Sequence, residues 1–206
     1  MAAGLKEHPP SMASPNAIAA VGRAILSMLA AAVPKPEFAG AAFELYQSKH
    51  LQAPMEEGVG LYLYRITPGG SVRNLPPRVG IDGRRYRPSM PIDLHYLLIC
   101  YARDAFKQQR LLGWAIRMIE DTPLFHASLL NQYGPETDTF GENEFADVLF
   151  ETISIQDMSS IWDAAKTQIQ PCIAYVVRMI PIESQLEMIE ADRVQTRVFD
   201  MGKVSA

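Results

Sequence analysis

The clearest change of hydrophobic pattern lies between Pro88 and Asp121. Its first part alternates apolar and polar residues as a strand does, and its second part repeats apolar residues at intervals of three and four, as a helix does. Only Arg103 separates the two patterns, and Asp104 is a suitable helix N-cap. We therefore predict a strand that leads directly into a helix, and we expect this unit to lie at the centre of the fold.

The remaining patterns predict two further helices and several short strands. Ser14-Pro15 is typical of a helix start, the following helix ends before the prolines at 34 and 36, and a second helix begins at Ser154 and ends before Gln170-Pro171. Strands are predicted at residues 43–46, 58–67, 148–153, 173–182 and 193–200. Together these elements predict an α+β fold with a mixed or antiparallel sheet of about five or six strands, flanked by about three helices.

The patterns predict one folded domain with a less regular segment at each end. We expect residues 1–13 to be a disordered leader, residues 14–190 to form the α+β domain, and residues 191–206 to form a C-terminal strand or arm. Residues 68–91 and 131–147 are predicted to be long loops, the first rich in arginine and proline and the second acidic. The apolar window at 17–33 contains Arg23 and Ser27, which favours an amphipathic helix over a signal peptide.

Composition narrows the function only modestly. Apolar residues make up 48% of the chain and charged residues 20%, which is ordinary for a globular protein. The net charge of -4 argues against general nucleic-acid binding. Cys100 and Cys172 have no zinc-type spacing, and we interpret them as buried free thiols of an intracellular protein.

Motifs that carry chemistry are missing from the sequence. The chain has no phosphate-binding glycine loop, no zinc-protease helix motif and no nucleophile elbow, and its four histidines show no ligand spacing. His95 alternates with apolar strand residues, which is more typical of a hydrogen-bonded structural histidine than of a catalyst. We therefore predict no catalytic residue, no cofactor and no metal.

Two groups of residues are candidates for binding a partner. Phe106 and Trp114 fall on the polar side of the predicted central helix, so either a neighbouring segment covers them or they anchor another subunit. Arg84, Arg85 and Arg87 lie in the arginine-rich loop, which has three possible roles. These roles are a solvated loop, a binding site for phosphate or RNA, and a surface that meets the acidic 131–147 loop of another copy head to tail.

Four regions of the sequence resemble the N-terminal domain of the cap, or tail-terminator, proteins of extracellular contractile injection systems of the anti-feeding-prophage type. These are SPNAIAAV at 14–21, PIDLHYLL at 91–98, RLLGWA at 110–115, and SIQDMSSIW at 154–162 followed by PCIAYVV at 171–177. The resemblance implies a structural, non-enzymatic protein. Such caps form a six-fold ring at the end of the particle distal to the baseplate, bind the last layer of inner tube and sheath, and stop further growth. The particle assembles in the cytoplasm and is then released.

The resemblance supplies no binding residues, so the interface residues are predicted from the pattern alone. They are Phe106 and Trp114 as anchors, the three arginines as polar partners, and the alternating arm residues Val194, Thr196, Val198 and Phe199 as a strand that adds to the sheet of a neighbouring copy or of a sheath subunit. Two other functions stay open: a terminator of a contractile bacteriophage, and a small module that binds RNA or phosphate through the arginine-rich loop. An enzyme is a more distant third.

Overall fold

The computed structural model describes residues 16–70, 75–80, 83–133 and 139–188. Within these ranges, the strands in chain order are β1 (Ala42–Tyr46), β2 (Gly58–Pro68), β3 (Arg78–Val79), β4 (Arg85–Tyr86), β5 (Met90–Tyr101), β6 (Leu124–His126), β7 (Phe145–Glu151) and β8 (Cys172–Ile182). The helices are α1 (Ala17–Ala32), α2 (Ser48–Gln52), α3 (Ala105–Asp121), α4 (Ala127–Tyr133) and α5 (Ile155–Ala164).

Six of the described strands form one mixed sheet in the order β1-β2-β5-β8-β7-β6, and β3 pairs with β4 in a short separate ribbon. β1 runs parallel to β2, whereas all other neighbours in the large sheet are antiparallel. The α+β class and the mixed sheet are therefore confirmed. β5 and β8 lie at the centre, because their residues are apolar on both faces and need cover on both sides.

One face of the sheet is covered by α1, α3 and α4, and the main core lies between these helices and the strands. The stripe of Val21, Ile25 and Leu29 on α1 is almost completely buried, and the alanines between them let the helix approach the sheet closely. α3 begins as predicted, since the Asp104 carboxylate accepts a hydrogen bond from Lys107 N at 2.9 Å.

The other face is covered only in part, by α2 and α5. Trp162 of α5 is 1% exposed and packs in a second cluster with Leu97 and Ile99 of β5 and Tyr46 of β1. Farther along the same face no helix lies over Arg178, which is exposed. This half of the face is therefore open as far as the described residues show.

Three predictions about local structure are wrong in detail. α5 ends at Ala164, well before Pro171, because Lys166 takes a left-handed conformation (φ 55°) that stops the helix. Residues 124–133, where no strand or helix was predicted, form β6 and α4. Both predicted long loops contain regular structure, namely β3 and β4 in the first and parts of α4 and β7 in the second.

Several predictions concern residues outside the described ranges, namely the leader at 1–13, the Ser14-Pro15 helix start and the arm at 191–206. Among the helices of the described part of the chain, none combines the length and apolar character needed to cross a membrane.

Candidate interaction surfaces

The two aromatic residues predicted as anchors on α3 have different surroundings. Phe106 is 72% exposed, and the Arg110 guanidinium lies 5.7 Å from the centre of its ring. Trp114 is half-buried and packs edge-on against Phe43 of β1, with 6.4 Å between ring centroids. A neighbouring strand therefore accounts for the position of Trp114 without a partner, whereas Phe106 is available for one.

Ion pairs tie the start of α3 to the segments on either side of β1. Lys107 Nζ lies 2.8 Å from Glu57 Oε1, and Arg110 Nη2 lies 2.8 Å from Glu37 Oε2. The Lys107–Glu57 pair is the more buried of the two, so solvent screens it less. These contacts fix the surroundings of Phe106. They could not be predicted from the sequence, because their partners are about 50 and 70 residues apart in the chain.

The arginine-rich segment forms a ribbon that binds the last described residues of the chain. Arg87 N donates to Leu186 O at 3.0 Å, and Met188 N donates to Arg85 O at 2.7 Å. The Arg84 guanidinium also pairs with the Glu187 carboxylate, with Nη1 and Oε2 3.4 Å apart. Backbone pairing thus adds residues 186–188 to the outer side of β4.

A buried ion pair lies beneath this ribbon. Arg78 Nε is 3.3 Å from Glu183 Oε1, and the Glu183 side chain is only 6% exposed. Arg78 also stacks over the Tyr86 ring, 4.6 Å from its centre. Burial raises the pKa of Glu183 to about 6, although Arg78 opposes the shift and Glu144 adds to it. Two of the segment's arginines, Arg78 and Arg84, are therefore engaged within the chain, which weakens the phosphate- or RNA-binding interpretation.

A hydrogen-bonded cluster lies where the open half of the sheet face begins. His95 Nδ1 is 2.8 Å from Glu151 Oε2, and His95 Nε2 is 2.9 Å from Thr67 Oγ1. Tyr64 OH donates to the same carboxylate at 3.0 Å, and burial together with this hydrogen bond raises the pKa of Tyr64. Hydroxyl, imidazole and carboxylate stand in the order of a hydrolytic triad. However, His95 is 6% exposed and its carboxylate partner binds Tyr64 as well, which is typical of a structural network.

A cleft of about 510 Å³ lies on the open half of the face, lined by residues of β7 and β8 and by the turn before β7. Met179 at its edge has φ 57°, and its N–H donates to Asp93 Oδ1 at 2.8 Å. The pairing of β5 with β8 shifts register at this point, so Met179 is the extra residue of a β-bulge. The periodicity of the strand predicted none of this, because a bulge leaves no mark in an apolar run.

The thiols and possible metal ligands add no chemistry. Cys100 and Cys172 are free, and burial raises the pKa of Cys100 to about 12 and of Cys172 to about 11. Across the described ranges, no three histidine, cysteine, aspartate or glutamate side chains come together as metal ligands would. The remaining predicted interface residues, Val194, Thr196, Val198 and Phe199, lie outside the described residues.

Comparison with known proteins gives one family and two similar folds. A family model described as the Pvc16 N-terminal domain matches residues 20–196. A sheath/tube terminator of an extracellular contractile injection system, PVC, in its extended state is similar in structure, with a TM-score of 0.58 and 16% identity over 92% of this chain and 64% of that chain. The anti-feeding prophage cap, described as tube-terminating, is also similar in structure. Its TM-score is 0.54, with 14% identity over 86% of this chain and 60% of that chain.

The likeness to these two solved structures shows a shared fold, since both identities are below one residue in five. This chain spans less than two thirds of the length of either solved chain. A comparison with curated proteins found no match.

Proposed function

The chain belongs to the Pvc16 N-terminal domain family, and on this premise we propose that it is the structural cap of a contractile injection particle. In this role, copies of the chain form a ring, with six as the proposed number, at the end of the particle distal to the baseplate. The ring binds the last layer of inner tube and sheath and prevents the addition of further layers.

One observation carries the proposal: the family match extends from residue 20 to residue 196, and the fold it covers is shared with a sheath/tube terminator and with a tube-terminating cap. The match therefore covers nearly all of the α+β domain and is not confined to one motif. What those two proteins terminate is proposed for this chain by analogy, because function follows from surfaces and not from fold alone.

The arrangement of surfaces is compatible with a ring. β1 and β6 are the two edge strands, so the sheet presents different elements on its two sides. A contact between unlike surfaces repeats head to tail and closes into a ring when the rotation permits. Phe106 lies near the β1 side and the cleft beside Met179 lies on the β7–β8 side, which places two distinct candidate contacts on one subunit.

The alternatives have less support. The phage-terminator interpretation predicts the same kind of ring, but neither of the two similar solved structures is described as a bacteriophage tail terminator. The phosphate- or RNA-binding interpretation needs arginines that are open to solvent, whereas Arg78 and Arg84 form ion pairs within the chain. A structural cap needs no catalytic group, and we propose that the chain is assembled onto its particle in the cytoplasm and released with it.

The proposal is tested by mass and by particle length. A ring of six 22.9 kDa chains has a mass of about 137 kDa, measured by light scattering, and negative-stain images of the same peak should show six-fold symmetry. In cells that make the particle, removing this chain should give tubes and sheaths of irregular length, and restoring it should restore a single length. Uniform particles without the chain would refute the proposed function.

A further inference from the structure

The outer edge of β1 is free among the described residues. β1 pairs with β2 on one side, and no other described strand pairs with it. Ala42 N donates to Glu57 O at 3.0 Å, toward β2. Because successive residues of a strand direct their backbone groups to opposite sides, the N–H and C=O groups of Phe43 and Leu45 point away from β2. An edge of this kind is a ready template for another strand.

A groove runs along this edge between β1 and α1. Its volume is about 400 Å³, and Arg23, Leu26 and Ser27 of α1 line it on one side. Phe43, Glu44 and Leu45 of β1 line it on the other. Leu45 is 39% exposed. The groove therefore offers apolar surface to alternate side chains of an added strand.

Residue 44 borders the groove, but strand alternation directs the Glu44 side chain to the face opposite Phe43 and Leu45. It is exposed, and no described cation lies within ion-pair distance of its carboxylate. A strand added at this edge would therefore fit best with apolar residues on the α1 side and basic residues on the Glu44 side.

The described chain ends on the ribbon formed by β3 and β4. Residues 186–188 pair antiparallel with β4, and Tyr86 lies opposite Glu187.

The arm lies beyond the last described residue. Eighteen residues, 189–206, follow Met188, and they include the alternating segment at 193–199.

We propose that residues 193–199 of one copy add as a strand to the free edge of β1 in a second copy. Val194, Thr196 and Val198 then lie on the α1 side of the edge, and Arg193 and Arg197 lie beside Glu44. This inference rests on the proposed ring, for which it names one subunit contact. The backbone pairing gives affinity, and the groove and Glu44 give register.

Cross-linking between two singly substituted copies tests the contact. Leu45→Cys protein is mixed with Thr196→Cys protein under mild oxidation near pH 8, and we expect about tenfold more disulfide-linked dimer than in a control mixture of Ile155→Cys with Thr196→Cys. Ile155 is 67% exposed on α5, so it controls for random collision. The raised pKa values of Cys100 and Cys172 keep the native thiols largely unreactive.

Equal yields of linked dimer in the two mixtures would overturn the inference. So would a chain carrying both Leu45→Cys and Thr196→Cys whose disulfide forms within one molecule at any dilution, because the arm would then pair with its own edge.

A proline variant separates this inference from the proposed function. Thr196→Pro removes a backbone donor and blocks strand pairing, whereas Thr196→Val keeps strand propensity. We expect light scattering to show rings for Thr196→Val and loss of rings for Thr196→Pro. Rings formed equally by both variants would overturn the arm contact and leave the cap function standing, whereas particles of uniform length without the chain would refute the cap function itself.

Discussion

Replacing Glu151 by alanine tests whether the cluster around His95 is structural. In the native protein the Glu151 carboxylate accepts hydrogen bonds from His95 Nδ1 at 2.8 Å and from Tyr64 OH at 3.0 Å. His95 is 6% exposed, so water cannot readily replace its lost partner. Thr67 still binds the other ring nitrogen, which confines the damage to one side of the imidazole.

The expected cost follows from these burials. A buried polar group left without a partner costs about 1–3 kcal/mol, with His95 toward the upper end and the more accessible Tyr64 hydroxyl toward the lower end. We therefore expect the Glu151→Ala variant to lose about 3 kcal/mol of unfolding free energy, which lowers Tm by roughly 6–12 °C for a domain of this size.

Urea unfolding followed by circular dichroism measures this change. Glu56→Ala is the matched control, because the Glu56 side chain is 86% exposed and its only described ion pair, with Arg103, is also exposed. We expect the control to stay within about 0.5 kcal/mol of the wild type. A double-mutant cycle between Glu151→Ala and Tyr64→Phe should give a coupling energy of about 1 kcal/mol. If Glu151→Ala unfolds like the control, or if the coupling is zero, the network contributes no stability and our reasoning fails.

Two further predictions concern the ribbon and α3. The folded-state pKa of Glu183 is about 6, above its ordinary value of 4.5, so its contribution to stability is present at low pH and is lost as pH rises through 6. Lowering the pH from 7 to 5 should therefore stabilise the wild type by about 1 kcal/mol relative to Glu183→Gln in thermal unfolding, and parallel pH profiles would contradict the shift. The Trp114→Ala variant should lose about 3 kcal/mol of unfolding free energy in urea, because the packing on Phe43 is removed. The Phe106→Ala variant should change the unfolding free energy by less than about 0.5 kcal/mol, yet it should weaken ring assembly measured by light scattering. Equal losses of stability would show that Phe106 is also packed.

The strands and helices were largely predictable because their signals are local. The predicted strand and helix between Pro88 and Asp121 are β5 and α3, and Asp104 caps α3 as expected. The strand predicted at 173–182 is β8, which lies inside the sheet. Periodicity of two or 3.6 residues and a capping side chain depend on neighbours within one turn, so they can be read along the chain.

The candidate surfaces were predictable only in part. Phe106 and Trp114 fall on the same side of α3 by helical geometry, and nothing in the sequence separates them. Phe43, about 70 residues earlier, covers one and leaves the other exposed. The arginine-rich loop looked like a free basic surface, but Glu183 and Glu187 come from the end of β8 and beyond to pair with it.

The local elements, their amphipathic faces and the absence of recognisable catalytic motifs follow from the amino-acid sequence alone, because each depends on residue types at short spacing. Three features depend on the folded structure. β1 is an edge strand whose outer side is free among the described residues, Met179 forms a bulge beside a cleft, and the His95 cluster is assembled from three strands. These features depend on strand order and register. Strand order and register are set when distant segments pack together to bury their apolar faces, so they depend on all the core residues together.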